Sequence, residues 1–295
     1  GTAMLDFRLE TFLSVCDTMN YRRSAELLHI TQPAVTQHIQ HLEKFYGHKL
    51  FRYEGRRLKK TAAAELLEQY ARTMKINEAD MLRQMDERQI HDLRIGVTKT
   101  IAQCVIGQYA EHFLRCPDND LTLIDENTQN LLDLIDQCKL DFALIEGIFD
   151  RRKYGSIRFS TEPFVGICAP DHPFAHQEVT IAQLLDQTLL CREEGSGTRA
   201  ILENKLLDYN RSIYDFRRCI CISTFSLILD FVRKGLGVSF VYEVLARQQG
   251  LPTFPIRDCQ IRREFNFVFL RSTGAEDKIR RFIGYLPSED GSHHG

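Results

Sequence analysis

The sequence predicts an α/β chain with a small helical unit at its start, finished by a β-hairpin, and one long helix leading into a larger body of alternating strands and helices. Three observations predict this. The first sixty residues place apolar side chains at helical spacing in three short runs and then turn basic. Residues 61–95 contain neither Gly nor Pro and are rich in Ala, Leu, Glu, Gln, Met and Arg, all strong helix formers. From Asp92 onward, short apolar strands alternate with helical patterns, as a parallel sheet with crossover helices requires.

Length and charge set the frame. A chain of 295 residues has room for two or three domains. Its 43% hydrophobic and 26% charged content provides a core and excludes wholesale disorder. The net charge of −2 conceals an asymmetry: residues 1–63 sum to +4 and the remainder to −6, a basic unit on an acidic body. No run approaches the ~18 apolar residues of a membrane span, and no signal peptide opens the chain, so a cytoplasmic protein without a membrane partner is expected. Gly1-Thr2-Ala3 ahead of Met4 reads as an appended scar. The nine cysteines are scattered and odd in number, as expected of reduced thiols filling core positions. Only Cys219 and Cys221 are close, as C-x-C; strand alternation is expected to turn them apart, and no histidine pair completes a zinc spacing. No metal and no cofactor is expected.

The first helix runs from Leu5 to about Met19, and Asn20 is placed to cap a second around Ser24-Ala25. Thr31 caps a third, with Pro33 in its first turn and Gly47 at its end. Val35, Ile39 and Leu42 share one stripe of that helix, which turns Gln32, Thr36, Gln37 and Gln40 elsewhere. A short helix, a tight turn and a helix with an amide-rich N-terminal face make a helix-turn-helix. Gln pairs with an adenine edge and Thr meets a thymine methyl in the major groove. Residues 50–53 and 57–59 read as two strands about Glu54-Gly55, a wing whose Arg52, Arg56 and Arg57 suit phosphates. Arg22 and Arg23 open the second helix beside them.

The runs Asn20-Tyr21-Arg22-Arg23-Ser24-Ala25, Thr31-Gln32-Pro33-Ala34-Val35-Thr36, Leu42-Glu43 and Leu50-Phe51-Arg52 resemble the N-terminal signature of LysR-type regulators. Departures are small: Ser24-Ala25 stands where Ala-Ala is usual, Thr replaces Ser at 31 and 36, and the wing ends in Lys60-Thr61-Ala62-Ala63. The resemblance implies an antiparallel pairing of the long linker with a second copy, giving a homodimer or homotetramer. The linker itself offers a loose apolar seam of Leu66, Tyr70, Met74, Ile76-Asn77, Met81 and Met85, which nothing in one small domain is expected to cover.

In the body, strands are expected at 93–97, 121–126, 140–145, 164–169, 189–191, 219–222, 238–241 and 264–270. Helices are expected at 101–114, 131–138, 180–185, 199–207, 225–234 and 276–286. Two such α/β units joined by crossing strands form a hinged, periplasmic-binding-protein-like effector body of two subdomains. Asp141 to Gly147, His172-Pro173 and Gly235-Leu236-Gly237-Val238 resemble the LysR-type effector domain, so the resemblance spans nearly the whole chain. The expected division is a winged helix-turn-helix at 4–61, a linker helix at 62–91 and the effector body at 92–287. Its subdomains are 92–163 with 264–287, and 164–263.

Ligands of open α/β sheets bind at strand C-termini, where helix N-termini offer free amides. Thr98, Thr100 and Gln103 follow the first strand of the body, Ser196 and Thr198 open a helix beside Gly195 and Gly197, and Thr224 opens another. Gln129 and Glu146 are expected at the edge of the same cleft, Glu146 repelling a carboxylate unless it faces away or meets an amino group. These residues suit a small anionic effector, and the alternative for each hydroxyl is ordinary N-capping. An enzyme is not expected: Gly195-Ser196-Gly197 lacks a nucleophile elbow's flanks, and no Walker A, dinucleotide or H-E-x-x-H motif occurs. His29, His38, His41 and His48 fit helix-surface roles in the DNA-binding unit. The expected function is a sequence-specific DNA-binding transcription regulator under small-molecule control, with double-stranded DNA, the effector and RNA polymerase as partners. A thiol-based redox regulator of the same architecture is the alternative, with Cys191 the cysteine nearest the effector helix.

Overall fold

The computed structural model describes residues 6–85 and 91–284. The leading residues, the end of the expected linker and the tail with His293-His294 lie outside them. Three helices, α1 (Phe7–Thr18), α2 (Tyr21–Leu28) and α3 (Gln32–Tyr46), pack around Phe12, Val15, Val35 and Ile39. Strands β1 (Phe51–Glu54) and β2 (Arg57–Lys60) form the antiparallel wing, whose turn needs Gly55 at φ +62°. Helix α4 (Ala62–Met85) follows, with Thr61 accepting from Ala64 N at 3.2 Å as its cap. Its first turns pack Ala64 and Ala71 into the three-helix core.

The body begins with β3 (His91–Thr98), α5 (Lys99–Cys104), α6 (Ile106–Leu114), β4 (Asn119–Glu126), α7 (Thr128–Asp136) and β5 (Phe142–Glu146). The single helix expected at 101–114 is two: Val105, at φ −124° and ψ −46°, leaves helical geometry with no Gly or Pro to announce the break. Next come β6 (Tyr154–Ile167), α8 (Ile181–Leu185), β7 (Thr188–Cys191), α9 (Gly197–Leu207), β8 (Arg218–Cys221) and α10 (Phe225–Arg233). The chain closes with β9 (Ser239–Tyr242), α11 (Glu243–Gln248), β10 (Thr253–Phe254), β11 (Ile261–Leu270) and α12 (Ala275–Ile283).

One sheet runs β10-β6-β11-β5-β3-β4, with β9 also on β6. Strands β4, β3 and β5 are parallel, while β11 is antiparallel to both β5 and β6. β6 is the strand that joins the two halves of the body. Residues 154–164 pair with β11, and residues 164–167 lie between β9 and β10. Expected only from 164, this strand begins at Tyr154, and its ladder carries Gly155 and Pro163 because β11 pairs along it. Two elements, α11 and β10, were also passed over, both being short.

β7 and β8 form a separate parallel pair with Cys191 opposite Cys221 and Leu189 opposite Cys219. Residues two apart on a strand share a face, so the expectation that Cys219 and Cys221 turn apart was mistaken. Both lie on the face that carries Cys191.

Candidate nucleic-acid interface and effector cleft

The N-terminal unit is held by side chains that satisfy its helix starts. Asp6 accepts from Arg8 N at 2.8 Å, Asn20 from Arg23 N at 3.0 Å, and Thr31 from Ala34 N at 3.3 Å. Burying Val35, Ile39 and Leu42 leaves Gln32, Gln37 and Gln40 exposed beside Pro33, while Thr36 is half-buried and donates to Gln32 O at 3.2 Å. Glu43 ties this helix to the wing, accepting from Lys49 Nζ at 2.6 Å and from Leu50 N at 2.9 Å. Arg56, Arg57 and Lys59 are exposed and make no ion pair among the described residues; Arg52 pairs with Glu54 at 2.9 Å. Arg22 pairs with Glu26 at 3.2 Å, and Arg23 is exposed. An amide-rich helix face next to free guanidinium groups can meet base edges and phosphates together. His38 and His41 have local partners, Thr11 at 2.9 Å and Arg8 at 3.1 Å.

Helix α4 has two faces. Thr73 Oγ1 donates to Arg271 O at 3.2 Å, Asn77 Nδ2 donates to Ser272 O at 3.1 Å, and Asp80 pairs with Lys278 at 2.9 Å. Ile76 and Asn77, expected in the apolar seam, therefore face the body. Leu66, Tyr70, Met74, Leu82 and Met85 stay exposed. Arg72, 3% exposed, binds Glu68 at 2.7 Å and Asp17 of α1 at 2.6 Å, and donates to Asp136 O at the end of α7. One guanidinium thus touches the helical unit, the linker and the body.

A cleft of about 670 Å³ opens in the body. Lys99, Gln103 and Asp125 line one side, and Arg192, Glu193, Ser223, Thr224, Arg233 and Gln249 line the other. Arg192 donates to Glu193 at 2.8 Å and holds that carboxylate below its ordinary range, with Lys99 adding to the effect. Of the residues singled out from sequence, Gln103 and Thr224 line this cleft. Thr98 is buried beside Lys99, and its hydroxyl has no hydrogen-bond partner among the described residues. Ser196 and Thr198 share a hydroxyl contact at 3.0 Å, with Thr198 buried. Gln129 lies apart, exposed on α7 and donating to Asp133 at 2.9 Å.

Glu146 is half-buried in the body and is not among the residues that line the cleft. Tyr242 donates to it, and Thr100 hydrogen-bonds it as well. Burial outweighs these bonds and pushes its carboxyl up to about 7, while burial and the neighbouring carboxylate keep the Tyr242 phenol protonated. Sequence reasoning missed Lys99, Asp125, Arg192, Arg233 and Tyr242. Lys99 and Arg192 directly follow β3 and β7, so extending the strand-end rule by one residue finds both.

The hydroxyls at these helix starts differ from those of the N-terminal unit. Thr98, Ser196 and Thr224 each precede a helix, and none makes a side-chain cap hydrogen bond. The structure also has no helix long and apolar enough to cross a membrane among the described residues. Nor do those residues contain a cluster of three or more His, Cys, Asp or Glu side chains placed to hold a metal ion.

Residues 7–65 match the family described as bacterial regulatory helix-turn-helix protein, lysR family, and residues 86–290 match the LysR substrate binding domain. The RuBisCO operon transcriptional regulator of Allochromatium vinosum is 28% identical, over 97% of both chains. Full-length LysG of Corynebacterium glutamicum with bound effector Arg shares the fold at a TM-score of 0.64, with 18% identity over 95% of this chain and 99% of that one. Full-length OxyR of Pseudomonas aeruginosa does so at 0.61, with 19% identity over 96% and 95%. With a helix-turn-helix model and a substrate-binding-domain model of one family matched in order, the chain belongs to the LysR family of transcription regulators.

Proposed function

We propose that this regulator reads operator DNA with Gln32, Thr36, Gln37 and Gln40 of α3, grips phosphates through Arg52, Arg56 and Arg57, and takes a small anionic effector into the cleft beside Lys99, Arg192 and Thr224. The observation that carries the effector reading is an unused cap. The N–H groups at the start of the nine-residue α10, where Ser223 and Thr224 line the cleft, are left without a side-chain acceptor. An anion satisfies such groups and gains from the helix dipole. Asp125 and Glu193 on the same cleft favour an effector that also carries a donor, such as a hydroxy or amino acid.

In this reading residues 4–61 form the DNA-binding domain, 62–91 the linker and 92–287 the effector body in a cytoplasmic protein. The exposed Leu66, Tyr70 and Met74 of α4 pair with a second copy, as a dimer or tetramer reading a partly palindromic site requires. Closure of the cleft around the effector shifts that assembly, and with it DNA bending and contact with RNA polymerase. The chemistry needs no cofactor and no catalytic step.

Two measurements test it. Calorimetric titration of the full chain with small carboxylates and hydroxy acids should find a ligand whose affinity falls at least tenfold in Thr224→Ala. A ligand that binds the variant equally well places the site elsewhere. Arg56→Ala should lower the slope of log affinity against log salt by about 1 on operator DNA. An unchanged slope removes the wing from the phosphate contacts.

A further inference from the structure

The β7–β8 pair holds an arrangement that neither DNA reading nor effector binding uses. Cys191 Sγ and Cys219 Sγ lie 3.4 Å apart on one face of this two-stranded sheet. Cys191 is buried, Cys219 is half-exposed, and the exposed Cys221 donates to Arg192 O at 3.6 Å. No other hydrogen bond engages the Cys191 and Cys219 sulfurs in the structure described. The two strands lead into the cleft: Arg192 follows Cys191 directly, while Ser223 and Thr224 follow the end of β8.

We propose that Cys191 and Cys219 form a dithiol that closes to a disulfide on oxidation by a hydroperoxide. The sulfurs must approach by about 1.4 Å from their present 3.4 Å to reach the ~2.05 Å bond. β8 pairs with β7 alone among the described strands, so it can shift without breaking a second ladder. Cys219, the more accessible of the two, attacks the hydroperoxide first. An S–O bond forms, the O–O bond breaks, and the leaving oxygen departs as an alcohol, or as water when hydrogen peroxide is the oxidant. The Cys191 sulfur then attacks the sulfenic sulfur; an S–S bond forms, the S–O bond breaks, and the departing hydroxide leaves as water with the Cys191 proton. The two thiols lose two electrons and two protons, and the hydroperoxide takes up both. Burial pushes the Cys191 thiol up to about 12, with its contact to Cys219 adding to the effect, so Cys191 is not the thiol that meets the hydroperoxide first. The bond ties together the two strands whose exits carry Arg192 and Ser223, so its formation repositions cleft-lining groups. This site stands whichever effector the cleft takes.

The test is peptide mapping of the full chain after stoichiometric hydrogen peroxide and alkylation of the remaining thiols. Trypsin releases peptides 159–192 and 219–233, each with two cysteines. The expected product is these two peptides joined, two hydrogens lighter than their sum, and separated again by dithiothreitol. Fragment ions should assign the link to Cys191 and Cys219. The link should persist in Cys221→Ser and fall to the untreated background in Cys219→Ser. Persistence in Cys219→Ser, or sulfinic acid at Cys219 with Cys191 still alkylated, overturns the proposal.

Discussion

The starts of three helices in the body contrast with those of the DNA-binding unit, while α7 and α8 of the body are capped by Asn127 and Thr180. In the DNA-binding unit Asp6, Asn20 and Thr31 each give an oxygen to a first-turn N–H. In the body Thr98, Ser196 and Thr224 occupy the same position in their helices and give none. The residue types are alike, so composition does not explain the contrast. The difference lies in what each terminus must do. The end of α3 is closed by its own chain through Thr31, as a helix proposed to read DNA requires if it is to be rigid beforehand. In the proposed function the start of α10 keeps its donors for the effector.

The largest effect should come from breaking the join between the two regions. Arg72→Ala leaves Glu68 buried with a lone lysine partner and frees Asp17, and should cost about 3–5 kcal/mol in chemical denaturation. A loss below about 1 kcal/mol would mean that the two regions are not coupled through this guanidinium. Glu146→Gln comes next. The folded protein raises this carboxyl from 4.5 to about 7, so it binds the proton more tightly than the unfolded chain does. Its contribution is full below pH 4.5 and is lost as pH rises through about 7, a change worth roughly 3 kcal/mol. The variant should therefore show a smaller fall in Tm between pH 5 and pH 8 than the parent, and an equal fall removes the burial argument. Thr31→Ala should cost about 1 kcal/mol through its lost cap. Thr224→Ala should change stability by less than about 0.5 kcal/mol while weakening the effector. Equal costs at the two threonines would erase the contrast between the regions.

The N-terminal unit was legible because its signals are local. Thr31, Pro33 and Gly47 mark a helix of fifteen residues, and Val35, Ile39 and Leu42 orient it. The body was legible as an alternation but not in its joints. Val105 breaks a helix through tertiary packing, and β6 runs through Gly155 and Pro163 because β11 pairs along it. The cleft was half visible. Thr224 and Gln103 announced themselves as polar residues after strands, whereas Arg233 and Gln249 come from helix ends that only the fold brings to the same place. Gln129 shows the limit of the strand-end rule: it follows β4, yet its helix turns it to solvent and to Asp133. Pairing across strands was invisible too, which is why the contact between Cys191 and Cys219 could not be read from their spacing.

Helix α4, described above as a linker bonded to the body through Thr73, Asn77 and Asp80, can also be regarded as a lever. From the centre of that grip at Asn77 to Ala62 the arm is about 23 Å long. A tilt of about 8° there moves the wing end by about 3 Å. That is close to the ~3.4 Å rise of one base pair along a DNA strand. In the proposed function such a rotation of the body changes which base pair α3 meets, and footprint spacing with and without effector would measure the step.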